Sequence, residues 1–84
     1  MKPSKAVLDV VNKRDGRCMY GLLHGGCSEG KDPHHIKSRG SGGGDEPENI
    51  ITLCRRHHND AHAGRISKYE LYAILTEFYN YQYE

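Results

Sequence analysis

A chain of 84 residues with 36% hydrophobic side chains, ten glycines and no tryptophan makes one domain whose apolar core is thin, so a staple is expected to carry part of its stability. Three cysteines are an odd number, no secretory leader is legible, and no apolar run approaches the roughly 18 residues of a membrane span; the reading is a reducing, cytoplasmic setting with thiols on metal, against the alternative of a secreted protein with one disulfide and a free thiol. The formal net charge of +1 does not announce a nucleic-acid binder, but residues 1–68 hold all twelve Lys and Arg against eight acids, and residues 69–84 hold three Glu and no base.

In chain order, residues 4–14 read as a helix: Ser4 can cap it, Val7, Val10 and Val11 recur at helical spacing, and Asp15-Gly16 ends it in a turn. The next segment, RCMYGLLHGGC, is poorly patterned and reads as a knuckle or loose hairpin between Cys18 and Cys27. Pro33 opens an extended piece, HHIKS, and residues 39–49 form a glycine-rich loop by composition. Residues 50–53 are apolar and short, as a buried strand would be. RRHHNDAHA then runs as a helix to Gly64, and residues 67–80 form the last helix, marked by a capping box of Ser67 and Glu70, a staple of Ile66 and Leu71, and an apolar stripe of Leu71, Ile74, Leu75 and Phe78.

The chemistry concentrates between residues 33 and 62, where five of the six histidines fall. Imidazole and thiolate bind borderline transition metals, and two sites can be assembled from the spacing. Cys18, Cys27, Cys54 and His57 make a closed tetrahedral set suited to a structural zinc, the second pair being Cys-x2-His at the start of a helix; His24 could replace one partner, and ordinary buried thiols are the plain alternative. The second set is His34 or His35 with His58 and His62. It has no thiolate and leaves coordination positions open, as a catalytic ion requires. His58 and His62 are four apart on one helical face, whereas His34 and His35 alternate in an extended strand, so one can bind metal while the other stays free as a base; capped or surface histidines are the competing interpretation.

HHI, a glycine-rich loop closing on DEPENIITLC, and RRHHNDAH together resemble the HNH (His-Asn-His) endonuclease family over residues 17–62. The resemblance implies an α+β fold: a ββα-metal core at about residues 33–63, flanked by the N-terminal helix at about 4–14 and the C-terminal helix at about 67–80, all in a single zinc-stapled domain. It implies that His35 is the general base, that His34, His58 and His62 hold one catalytic divalent ion (Mg, Mn, Ni or Zn), and that Asn49 is the central Asn tying the loop to the strands. Asn49 as a plain turn residue is the bland alternative. The sequence departs from many zinc-bearing members in having His57 where they have Cys and a wide Cys18–Cys27 spacing.

The implied activity is phosphodiester hydrolysis in DNA, nicking or cleaving with weak sequence specificity and strong salt dependence, with Lys37, Arg39, Arg55 and Arg56 as phosphate contacts or plain surface charges. The implied partner is DNA, joined by a phage packaging or other DNA-processing protein; no membrane is expected and a monomer is favoured. The rival class is a non-catalytic zinc module that binds nucleic acid or protein. A hydrolase of some other ester has no positive feature in its favour.

Overall fold

The structure is a computed structural model that describes residues 4–83, with the side chain of Arg39 outside that description. Helix α1 (Lys5–Asp15) starts at Ser4, whose hydroxyl accepts from the Val7 amide, and stops at Gly16 in left-handed backbone. Of its expected apolar stripe only Val11 is fully buried, and Val10 is 50% exposed. The helix is instead anchored by its last two residues.

Asp15 accepts from the Thr52 amide at 2.9 Å, and Arg14 donates to the carbonyls of Ile50 and Pro47. The Ile50 carbonyl and Thr52 amide lie on the outer edge of strand β2 (Ile50–Leu53), which pairs with β1 (Asp32–His35) on its other side. The Arg14–Asp15 pair thus stands in for a third strand, satisfying an edge that a two-stranded sheet would leave open. The Tyr79 hydroxyl donates to the same Asp15 carboxylate at 2.8 Å, and its ring packs under the Arg14 guanidinium. Burial first, and the Asp15 charge second, push the Tyr79 hydroxyl up to about 12, so it stays a donor at any working pH.

The strands are antiparallel, with Asp32 opposite Leu53, Pro33 opposite Thr52, His34 opposite Ile51 and His35 opposite Ile50. Because the Thr52 amide faces outward, Pro33 sits at a pair that exchanges no ladder bonds, and its missing N–H costs nothing. All four residues of β2 are buried. The segment from Cys18 to Cys27 is not a hairpin: Met19–His24 form a six-residue helix, α2, whose N-terminal Gly21 amide is capped by the Cys18 thiol and which ends at Gly25, at a positive φ of 71° with extended ψ.

Between the strands the chain makes two 3-10 turns, Arg39–Ser41 and Pro47–Asn49, and Asn49 closes the loop. Its side-chain carbonyl accepts from the Lys37 amide, and its amide nitrogen donates to the carbonyls of Lys37 and Gly44, each at 2.9 Å. A Cβ on Gly43 would lie 1.8 Å from the Lys37 carbonyl oxygen, so only glycine fits this crossing.

Helix α3 (Arg55–His62) follows β2 directly, and α4 (Lys68–Tyr79) carries both reciprocal bonds of the Ser67–Glu70 capping box. The core gathers Met19, Ile36, Ile51, Leu53, Ile66, Leu71, Ile74 and Leu75 between the sheet and α4. Phe78 is not part of it. It is 41% exposed, and Tyr79 is the residue that turns inward to Asp15. Among the described residues no helix is long and apolar enough to cross a membrane.

Candidate active site and metal centre

Helix α3 serves two clusters from two faces, because neighbouring residues on a helix point about 100° apart. On one face, Cys54 and His57 meet Cys18 and Cys27, with all four ligand atoms within 4.8 Å of one another. The Nδ1 atom of His57 lies 3.3 Å from the sulfur of Cys18, 3.9 Å from that of Cys27 and 3.3 Å from that of Cys54. Tetrahedral zinc with bonds of about 2.3 Å to sulfur and about 2.05 Å to nitrogen sets these separations near 3.6 Å, so the donor set fits the ion in kind and in span.

The backbone prepares this cluster. Three of the first amides of α3 find partners outside the helix: Arg55 donates to the Glu29 carbonyl, Arg56 to the Ser28 hydroxyl, and His57 to the Cys54 sulfur. Those bonds draw the 27–29 segment onto the helix start and bring Cys27 to Cys54. Gly21 leaves room for it, since a Cβ there would lie 1.8 Å from the Cys27 sulfur. Burial raises the Cys54 thiol, but donation from the amides of His57 and Ser28 outweighs it and leaves the group at about 7. Burial and the neighbouring Cys18 and Cys54 push Cys27 up to about 11. Three thiols this close cannot all ionise without a cation between them. Burial also lowers His57, keeping its ring neutral and able to donate a lone pair. His24 lies outside the cluster, stacked on the Tyr20 ring at 4.3 Å.

On the other face, His58 and His62 meet His34 of β1, again with ligand atoms within 4.8 Å. The Nε2 atoms of His58 and His62 are 3.1 Å apart, and the His34 ring stands edge-on to both, 5.1 Å from each centroid. Burial, then the neighbouring His58, His62 and His35, press His34 down to about 4, so its ring is neutral at pH 7. Its Nδ1 is buried with no hydrogen-bond partner among the described residues, and a buried imidazole nitrogen left unpaired beside two other imidazoles fits a set able to hold a cation.

Asp32 orients this set. The Arg55 guanidinium, and next to it His58, hold the Asp32 carboxyl at about 2, so it can only accept; His58 Nδ1 therefore carries the proton it donates at 3.0 Å, and Nε2 keeps its lone pair for the cluster. His35, the next residue along β1, points away from the three. Its Nε2 bonds Asp45 of the glycine loop at 2.7 Å, and its side chain is 21% exposed beside the groove lined by His34, His62, Ser38 and Lys68.

The description "HNH endonuclease" belongs to the family model that matches residues 17–64, more than half of the chain and the stretch that holds both clusters. The chain belongs to the HNH endonuclease family. It is also 38% identical over 52 residues, 62% of its length, to the probable mobile endonuclease E of Enterobacteria phage T4. The chain spans 37% of that phage protein's length. No solved structure matches it.

As an HNH chain it has the α+β fold of two antiparallel strands and a following helix that the sequence implied, with α1, α2 and α4 packed around them. Asn49 is no plain turn residue: it is buried, makes three bonds to the loop backbone and receives a fourth from the Tyr72 hydroxyl at 3.1 Å. It touches His35 through the strand alone, by way of the Ile36 amide that donates to the Asn49 carbonyl. Of the four proposed phosphate contacts, Arg55 is held bidentately by Asp32 at 2.6 and 3.2 Å, Arg56 bonds the Gly26 carbonyl, and Lys37 lines open grooves; Arg39's side chain lies outside the described residues.

Sequence reasoning missed Asp32 and Asp45. Asp32 had a legible signal, since it is two residues before His34 and shares its face of an extended strand. Asp45 had none, because only the fold of the glycine loop brings it to His35.

Proposed function

We propose that this chain is a metal-dependent DNA endonuclease that hydrolyses phosphodiester bonds, with His35 as general base. The observation that supports it best is the convergence of His34, His58 and His62 on one point with His35 left out of the set and facing the adjoining groove. A divalent ion bound there supplies Lewis-acid stabilisation of the charge that develops on a non-bridging phosphate oxygen and on the leaving 3′ oxygen. Asp45 accepts from His35 Nε2–H and leaves Nδ1 as the nitrogen that takes the proton from water. The water oxygen forms the new bond to phosphorus, the bond to the 3′ oxygen breaks, and the products carry 5′-phosphate and 3′-hydroxyl ends. Cys18, Cys27, Cys54 and His57 hold a structural zinc, and free thiols gathered on a metal suit a reducing cytoplasm. Lys37, Arg39 and Arg56 remain the proposed phosphate contacts, and Arg55, paired with Asp32, acts through that carboxylate.

Nicking of supercoiled plasmid in the presence of Mg²⁺, Mn²⁺, Ni²⁺ or Zn²⁺ tests the reading. Wild type should nick with at least one ion, and His35→Ala should lose about 100-fold or more of that activity with its melting curve unchanged. No nicking with any ion would favour a zinc module that binds without cutting. Asp32→Asn should weaken binding of the catalytic ion by about 10- to 100-fold, read by titration calorimetry, because the amide can present a donor to His58 and undo its tautomer. An unchanged affinity would remove Asp32 from the site.

A further inference from the structure

We propose that the groove beside α4 is a stacking site for unpaired nucleobases of the strand whose phosphodiester lies at the histidines, which makes a junction of duplex and single strand the preferred substrate. This deepens the nuclease reading and rests on it for the placement of the strand. The groove encloses about 510 Å³ and is lined by Lys37, Lys68, Tyr69, Tyr72 and Tyr83, with no acid among them. It adjoins the candidate active site: Lys68 also lines the groove that holds His34, His35 and His62, and Lys37 follows His35 by two residues.

Tyr69 and Tyr83 lie outside the apolar core, and Tyr72 packs only against its margin. Tyr69 is 72% exposed, the Lys68 ammonium lies 5.4 Å from its ring centroid, and Tyr72 follows three residues on along the same face of α4. Tyr72 and Tyr83 pack with centroids 4.4 Å apart and planes tilted by 39°, and are pinned by their hydroxyls, one to Asn49 and the other to the Glu48 carbonyl. Glu46 and Glu48 line the next pocket over, beside Lys37, Tyr72 and Tyr83, and bound the positive groove on that side. Fixed aromatic faces between two lysines match a strand's alternation of base and phosphate. In a duplex the base faces are already stacked on one another, so only unpaired bases can use these rings.

The test uses the full chain carrying His35→Ala, so that nothing is cut, and oligonucleotides with the fluorescent base 2-aminopurine at each of the first four unpaired positions on either side of a duplex end. At least one position should be quenched on binding. Tyr69→Ala in that background should abolish the quench and lower the ratio of single-strand to duplex affinity about fivefold or more, and Tyr69→Phe, which keeps the ring, should retain both. Equal ratios for the Ala variant and its parent, or a Phe variant no better than Ala, would overturn the stacking site. Plasmid nicking by the wild-type chain reports separately on the nuclease reading: nicking without any quench sinks the groove alone, and a Tyr69-dependent quench without nicking upholds the groove and sinks the nuclease.

Discussion

Cys54→Ser is expected to abolish cooperative folding, or to lower the thermal midpoint by roughly 15 °C or more, a loss of about 3 kcal/mol at this chain length. The substitution is informative because serine is itself a preferred helix cap and can take over the bond that the Cys54 sulfur accepts from the His57 amide. Capping is therefore conserved, and what disappears is one of the four proposed zinc ligands. Structural zinc in small domains supplies apparent binding energies on the order of 10 kcal/mol, and here the cluster ties α2, the 27–29 segment and the start of α3 into one knot. The core offers little in compensation, as β2 and one face of α4 already provide half of its buried apolar residues. Circular dichroism melts with and without a zinc chelator check the expectation: the chelated wild type should melt like the variant. A variant midpoint within a few degrees of wild type would mean that the four side chains hold no ion that matters to the fold.

The ease with which this site could be read from sequence follows from the range of the interactions involved. Cys54 with His57, His58 with His62, and the alternation of His34 and His35 are fixed by helical and strand periods, so their grouping is legible over a few residues. The Ser67–Glu70 capping box is equally local. Helix α2 was hidden because its cap is a thiol rather than a usual capping residue and because Gly21 within it argues against a helix; the glycine is needed by the approach of Cys27, a contact that no local pattern encodes. Phe78 continues the helical stripe of Leu71, Ile74 and Leu75, but α4 there runs past the core, and Tyr79 takes the inward role because its hydroxyl reaches the buried Asp15 carboxylate. Arg55, expected as a phosphate contact, also pairs with Asp32, 23 residues away, through a contact that only the register of β1 against the helix start reveals.

His58→Ala separates the two metal sites most sharply. It adjoins His57 in sequence, yet its ring sits with His34 and His62, is half-buried, and packs in none of the apolar core. Its removal leaves the Cys18, Cys27, Cys54 and His57 cluster intact and leaves Asp32 still paired with Arg55. The melting midpoint and a zinc content of about one per chain should therefore persist. Two imidazoles remain for the catalytic ion, too few to hold it at micromolar concentration, so nicking should fall by at least about a thousandfold, equivalent to roughly 4 kcal/mol of lost transition-state stabilisation. The decline should exceed that of His35→Ala, because in the proposed mechanism His58 binds the ion and His35 only receives a proton. Calorimetric titration of the added ion discriminates the causes: His35→Ala should bind it like wild type and His58→Ala should not. Global unfolding of His58→Ala, or retained nicking at wild-type rate, would break the assignment of one face of α3 to stability and the other to catalysis.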